Sequence, residues 1–402
     1  MKRSLHENGQ DSKYVKRPKV AENASSTSRS AFRFPVFTEQ FDKPFPFFRK
    51  PSEVGSFSQD YKRQFHHDRH KLRIYVKPAV SDPCFDLSHG YSSLIRKDES
   101  EKEYLNDMLR WVMHNKEKFL LQSDRDKHSA TGIKSLNTDF LCWRGLLTKL
   151  LCTPYENRED WMIAVTKFRG TYYLCEFDTE SKKQQKEQTT PQQDEMCYGG
   201  WKFEQYVTAD KEGDKPDTSS PVNNNEGFCS VVRTRLESHS LVYGGEVDAW
   251  DPAIRGDGKY LELKTSRIMQ SHRQEQNFKR FKLIKWWAQS FLLGISKIVC
   301  GFRDDDGIVH SLQDYQTQQI PSMIKDLHNP WHPNVCFNFL EQFLGFLKHT
   351  VTDDDPQLVH LLTWKPRGDV QCQRLERGSE YTFIPRWFVD WEGWDKAQEK
   401  VV

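Results

Sequence analysis

The sequence predicts a mixed α/β fold, and three observations predict it. Short segments such as KLRIYVK and FCSVVRTRL alternate apolar and polar residues at the period of a strand. Longer ones place apolar side chains at helical spacing, as with Leu105, Met108, Leu109 and Val112. Turn-forming residues punctuate both kinds. With 402 residues, 36% of them hydrophobic, the chain can build a sizeable core in one large α/β domain or two smaller ones. No run approaches the ~18 consecutive apolar residues of a membrane helix, and MKRSLHENGQ lacks the apolar stretch of a signal peptide. A soluble protein of the nucleus or cytoplasm, with no membrane partner, is expected. Nine cysteines, an odd set with no C-x-x-C pair, argue against a zinc ribbon or a disulfide framework and for reduced, mostly buried thiols. Because 59 basic residues nearly balance 57 acidic ones, no global field draws the chain onto nucleic acid, and any such contact must be local.

The elements follow in order. Residues 1–31 are polar and Ser-rich, too poor in large apolar side chains to fold, and carry basic clusters at Lys2-Arg3 and Lys16-Arg17-Pro18-Lys19. These clusters fit a nuclear import signal or a merely solvated basic tail equally well. From Phe32 the chain turns globular. KLRIYVK is a strand, EKEYLNDMLRWVMHNKEKFLL a helix, and DWMIAVTKFRGTYYLCEF a hairpin turning at Arg169-Gly170. The polar stretches DTESKKQQKEQTTPQQDE and TADKEGDKPDTSSPVNNNEG are expected as surface loops on either side of a short strand, GGWKFEQYV. After FCSVVRTRL and two acidic strands comes a helix through NFKRFKLIKWWAQSFLLG. ISKIVCGFRDDDGIVHSLQ then reads as two strands about an Asp-Gly turn, NVCFNFLEQFLGFLKHT as an amphipathic helix and QLVHLLTWKP as a closing strand.

The chemistry concentrates in the two acidic strands. Alternation puts Glu246 and Asp248 of GGEVDAWD on one face of their strand, and Glu262 and Lys264 of YLELKTS on one face of theirs. The Pro-, Gly- and Asp-rich DPAIRGDGK between them suits a hairpin, which would converge three carboxylates and one ammonium. Such oxygen ligands suit one or two hard divalent cations over a scissile phosphate, and Lys264 could orient or deprotonate water or offset phosphoryl charge. Either pair alone would be an ordinary solvated strand face. An acidic residue, a turn and then E-x-K on an apolar strand is the active-site pattern of the PD-(D/E)xK nuclease fold.

Other residues are weighed singly. Arg144, set in the apolar DFLCWRGLLTKLL, should face a carboxylate or a phosphate, since an unpaired buried guanidinium is costly. Glu204 is expected on its short strand. Lys282, Lys285 and Gln289 share a helical stripe, with Trp286 and Leu293 on the core side. Asp304, Asp305 and Asp306 are better explained as turn chemistry than as metal ligands. His66, His67 and His70 lie in a basic run with no Cys or Glu to complete a metal set, and read as a solvated segment or an RNA-facing edge. No G-x-S-x-G elbow, P-loop or dinucleotide fingerprint is present.

CWRGLLTKLL, WKFEQY, GEVDAWD, LELKTS and KWWAQSFLLGISKIVCGFRDDDG stand in the order and approximate spacing of the decapping exoribonuclease (DXO) family, which also includes fungal nuclear relatives. From about Phe32 to Trp391 the chain resembles its metazoan-type members. The resemblance implies a single α/β domain, residues 32–402, of two β-sheets with flanking helices and a PD-(D/E)xK nuclease-like active site. It implies RNA 5′ ends as substrate, with removal of incomplete or nicotinamide-type caps and of 5′ pyrophosphate, and 5′→3′ degradation of the body. It further implies that Glu204, Glu246, Asp248 and Glu262, with the backbone carbonyl of Leu263, hold Mg²⁺ or Mn²⁺, as two ions. Arg144 would contact RNA phosphates, and Lys264 and Gln289 would place the water and the scissile phosphate. No motif residue is missing, and the departure is the pair of long polar loops around Glu204. A monomeric nuclear enzyme is the leading expectation. A DNA nuclease of the same fold, and a stabilising partner of a nuclear 5′→3′ exoribonuclease, are the alternatives.

Overall fold

The structure, a computed structural model, describes residues 32–120, 133–255 and 259–395. The N-terminal tail and its basic clusters lie outside these residues. Two sheets organise the chain. The larger has ten strands in the order Phe32–Phe34, Val370–Arg374, His360–Trp364, Trp161–Phe168, Thr171–Phe177, Phe140–Trp143, His239–Glu246, Gly227–Leu236, Ser52–Gln59 and Phe65–His66. The smaller has seven, in the order Phe85–Asp86, Ile308–Gln316, Lys297–Arg303, Tyr260–Arg267, Ala249–Trp250, Ile74–Tyr75 and Thr208–Ala209.

Burial explains why the helices lie where they do. One core takes Leu241 and Tyr243 from the larger sheet and Ile298 and Cys300 from the smaller. Between them it takes Leu147, Trp287 and Phe337 from the helices Arg144–Cys152, Leu283–Leu293 and Pro333–Thr350. The other face of the larger sheet, with Leu141, Val231 and Val242, is covered by Met108, Leu109, Trp111 and Val112 of the helix Asn106–His114. The far face of the smaller sheet, with Leu261, Leu263 and Val299, meets Phe203 and Val207. Helices thus cover sheets that are apolar on both faces, the α/β arrangement.

Most predicted elements stand. The Trp161–Phe168 and Thr171–Phe177 hairpin turns on Arg169 (φ 49°) and Gly170 (φ 80°), a pair of left-handed residues that matches strand twist. Tyr260–Arg267 and Lys297–Arg303 run parallel, so a helical crossover must join them. The predicted helix supplies it as His272–Asn277, a π-turn at Phe278–Lys282 and Leu283–Leu293, ending on Gly294 in the left-handed region. All nine cysteines are free thiols and seven are buried, as expected.

Four expectations need correction. KLRIYVK is extended mainly as the two residues Ile74–Tyr75. QLVHLLTWKP does not close the sheet, because Val370–Arg374 returns beside it and Phe32–Phe34 adds the edge. The first polar stretch is not a loop: it forms the helix Glu180–Glu187 and opens another, Pro191–Tyr206. Glu204 therefore sits on a helix, not on a short strand. The helix starts there because Thr190 and Gln193 make a reciprocal capping box and Pro191 occupies the first turn. It continues through Gly199-Gly200 because Tyr198 and Phe203 are fully buried, which outweighs a glycine cost of about 1 kcal/mol each.

Gly301 is what lets that helix approach the sheet: a Cβ there would lie 2.6 Å from Phe203 Cε2. Gly301→Ala should destabilise the protein by about 1–3 kcal/mol through overpacking, read as a lower urea midpoint, and should lower turnover because Phe203 adjoins Glu204. An unchanged midpoint would refute this account of the close packing.

Candidate active site

The site is built where the chain leaves one sheet for the other. Glu246 ends His239–Glu246 in the larger sheet, and Ala249–Trp250 pairs with Leu261 and Tyr260 in the smaller. Between them Val247 N–H still donates to Phe228 O at 2.9 Å, whereas Asp248 Oδ2 already accepts from Leu263 N–H at 2.7 Å. The expected hairpin exists but is two residue pairs long. Glu246 and Asp248 are not neighbours on one strand face, as alternation suggested; they stand at the ends of a crossing between sheets.

Arg144 arrives by strand register. Phe140–Trp143 runs parallel to His239–Glu246 with Trp143 opposite Gly244, so the next residue, the first of the helix Arg144–Cys152, comes level with Gly245 and Glu246. Its Nη2–H donates to Glu246 O at 3.0 Å. Gly245 makes room, since a Cβ there would lie 2.9 Å from Arg144 Cβ and 2.9 Å from Leu293 Cδ1. Sequence reasoning passed over this glycine, although the paired glycines before Glu246 were the available signal.

Glu262 is the hub. It is 1% exposed, and its Oε1 accepts from Lys264 Nζ at 2.6 Å and from Gln289 Nε2. Its Oε2 has no hydrogen bond and faces Arg144 Nη1 at 3.9 Å, itself buried without a hydrogen-bond partner. Of the other stripe residues, Lys282 donates to Ser266 Oγ and Lys285 pairs with Glu156, so Gln289 alone of the three turns to the carboxylate hub. Glu204 and Asp248 are partly buried and Glu246 is exposed.

The charges act on one another. Burial, then the carboxylate of Glu262, pushes Asp248 up from 3.8 to about 7, against Lys264 and the Leu263 N–H. Burial, followed by Asp248 and Glu246, pushes Glu204 well above the ordinary glutamate range. Burial works against the charge on Lys264, but Glu262 and Asp248 outweigh it and hold the ammonium above its usual range. Every residue predicted for the site (Arg144, Glu204, Glu246, Asp248, Glu262, Leu263, Lys264 and Gln289) therefore belongs to one electrostatic neighbourhood.

Two further residues border it. Arg63 makes a two-pronged pair with Glu103, at 2.8 and 3.1 Å, and a Cβ at Gly227 would touch Glu246 Oε1, Gln59 Oε1 and Arg63 Nη1. Arg63 lies in the basic run that the sequence marked as solvated or RNA-facing. The histidines of that run bind no common centre: His66 pairs with Asp60 and His70 with Asp68. The three turn aspartates behave as turn residues, with Asp304 Oδ1 accepting from Asp306 and Ile308 N–H.

An acidic crossing segment, an E-x-K strand and a crossover helix that supplies a glutamine define a PD-(D/E)xK-type nuclease. The RAI1-like PD-(D/E)XK nuclease family model matches residues 49–389, and the chain belongs to that family. It is 43% identical over 355 residues to the decapping and exoribonuclease protein of Xenopus laevis, covering 86% of this chain and 87% of the relative. S. pombe Rai1, solved in complex with 3′-FADP, superposes with a TM-score of 0.69 at 28% identity, covering 86% of this chain and all of that one. Candida albicans Rai1, solved in complex with pU5-Mn²⁺, shares the fold with a TM-score of 0.74 at 24% identity, covering 90% and 99%. The two-sheet α/β architecture expected of the family is the one observed.

The raised Asp248 carboxyl has a consequence for stability. The folded protein keeps this proton up to about pH 7, whereas the unfolded chain releases it near 3.8, so its contribution is present below about pH 4 and lost as the pH rises through 7. In chelator, the thermal midpoint of the wild type should fall more steeply between pH 4 and 8 than that of Asp248→Asn, which should be the more stable of the two at pH 8. Parallel profiles would show that Asp248 is not held protonated by its neighbours.

Proposed function

We propose that the protein is a divalent-metal-dependent hydrolase of RNA 5′ ends, which removes incomplete or nicotinamide-type caps and 5′ pyrophosphate and degrades the body 5′→3′. One observation carries the reading. At the centre of the acidic cluster, a buried carboxylate oxygen, Glu262 Oε2, and a buried guanidinium nitrogen, Arg144 Nη1, have no hydrogen-bond partner. A hard cation and an anionic phosphate are the two species that would satisfy them together. The donor set fits such a cation, since Glu204, Glu246, Asp248 and Glu262 offer carboxylate oxygens and the Leu263 backbone lies against Asp248. Mg²⁺ or Mn²⁺, as a pair, is the assignment this set supports. When bound, the ions would supply Lewis acidity and a water acidified for attack on phosphorus.

The chain's own residues do the remainder. Arg144, fixed at Glu246 O, presents a charged donor to a phosphate oxygen. Lys264 stays an ammonium beside Glu262 and Asp248, which favours charge compensation on the phosphoryl oxygens over removal of a proton from water. Gln289 holds Glu262 Oε1 from the helix side and so fixes the angle of the hub carboxylate. Placement in the nucleus rests on the basic clusters of the tail, and a nuclear 5′→3′ exoribonuclease is the partner that a pulldown from nuclear extract would test.

The test is a panel of 5′-end-labelled RNAs bearing triphosphate, monophosphate, unmethylated-cap, methylated-cap and nicotinamide-cap ends, with a circular RNA and a DNA strand of the same sequence. Products are identified by mass. The triphosphate, monophosphate, unmethylated-cap and nicotinamide-cap RNAs should be shortened from the 5′ end, with loss of pyrophosphate or the intact cap group where one is present, while circular RNA and DNA resist and the methylated-cap RNA serves as the complete-cap reference. Equal cleavage of circular RNA would make the protein an endonuclease, and equal cleavage of DNA would remove RNA from its specificity.

A further inference from the structure

Among the described residues, the grouping of metal-type donors that lie within 4.8 Å of one another is Asp82, Cys84 and His310, away from the carboxylate centre. We propose that these three side chains bind a borderline-soft divalent cation of the zinc class. Cys84 Sγ lies 3.2 Å from Asp82 Oδ1, and His310 Nδ1 lies 3.3 Å from the same oxygen. Ligand atoms around a tetrahedral zinc, at bond lengths of about 2.0–2.3 Å, are separated by roughly 3.5 Å, so little movement is needed to enclose an ion. One sulfur, one imidazole nitrogen and one carboxylate oxygen suit zinc, whereas Mg²⁺ and Ca²⁺ take oxygen alone. Three protein ligands leave the fourth position to water.

A second feature sets this cluster apart from a chance meeting of surface side chains. His310 Nε2 lies 2.9 Å from Asp304 Oδ2, so this carboxylate holds the Nε2–H and orients the ring with Nδ1 toward Asp82, where it would ligate. Asp304 is itself fixed, because its other oxygen accepts the Ile308 and Asp306 N–H groups at 2.9 and 3.0 Å. The backbone brings the two halves together: Phe85–Asp86, directly after Cys84, pairs with Val309 and Ile308, directly before His310. Phe85–Asp86 is the edge strand of the smaller sheet, so the ion would clip that edge in place. Cys84 now donates its S–H to Asp82, and His310 Nδ1 faces the same carboxylate; on binding, the thiol proton and any proton on Nδ1 pass to solvent, and the thiolate and the imidazole take the cation with no change of oxidation state.

The test uses Co²⁺ as a spectroscopic stand-in on the full chain, with excess Mg²⁺ present to compete for the carboxylate centre. One equivalent of Co²⁺ should give a near-ultraviolet thiolate-to-cobalt band that one equivalent of Zn²⁺ abolishes. The band should be absent in Cys84→Ser and in His310→Ala. It should persist in Cys197→Ser, which removes the other exposed thiol, and in Glu246→Ala/Asp248→Ala. Asp304→Asn should keep the band and weaken Zn²⁺ binding about 10–100-fold, as expected for loss of the carboxylate that orients a ligating imidazole. Failure of the wild type to give a band with stoichiometric Co²⁺, or an undiminished band in Cys84→Ser, would overturn the proposal. Neither result touches the assignment of the carboxylate centre.

Discussion

A buried carboxylate must be answered, and the architecture of this protein is arranged around the answer to Glu262. Taken out of water alone, its charge would cost several kcal/mol. Three elements offset that cost: Lys264 from its own strand, Gln289 from the crossover helix and Arg144 from the first turn of another helix. Each partner is fixed by packing elsewhere. The crossover helix is held through Trp287 and Leu292, and the helix Arg144–Cys152 through Leu147 and Leu150, all in the core between the sheets. The site is thus as rigid as the core that carries it, which is what catalysis by fixed charges requires.

The second dependence is the change of sheet. Val247, buried at 3% exposure, still bonds to the larger sheet, and two residues later the backbone belongs to the smaller one. A crossing this short leaves no slack, so Glu246 and Asp248 approach the E-x-K strand from two directions. Gly245 extends the same constraint to Arg144, because only a residue without a Cβ lets the guanidinium stem lie against the strand.

How much of this could be read from the sequence depends on the kind of signal. The hairpins were legible because Gly170 and Gly307 mark the left-handed turn positions, and the crossover helix because Trp286 and Leu293 recur at helical spacing. The site residues were legible as chemistry because E-x-D, a turn and E-x-K occur together, although either pair alone would be an ordinary strand face. Their placement was not. Alternation runs on from Glu246 through Ala249, so a change of sheet looks identical to a continuing strand. The helix that carries Glu204 was hidden by its polar first turns and by Gly199-Gly200, although Thr190, Pro191 and Gln193 spelled its start. Arg63 acts through contacts remote in sequence, which no local pattern announces, whereas the glycine pair before Glu246 did mark Gly245. The two-sheet layout itself came from family resemblance, not from periodicity.

The most direct measurement of the central claim is metal-dependent turnover of Glu262→Gln on 5′-triphosphorylated RNA, alongside circular dichroism to confirm the fold. The substitution keeps the size of the hub and removes its charge. The account predicts retained structure, weaker activation by Mg²⁺ or Mn²⁺, and turnover lowered by at least ~10²-fold. Wild-type turnover at the same cation concentration would contradict it, because the charge at Glu262 would then not be what the site is built to hold.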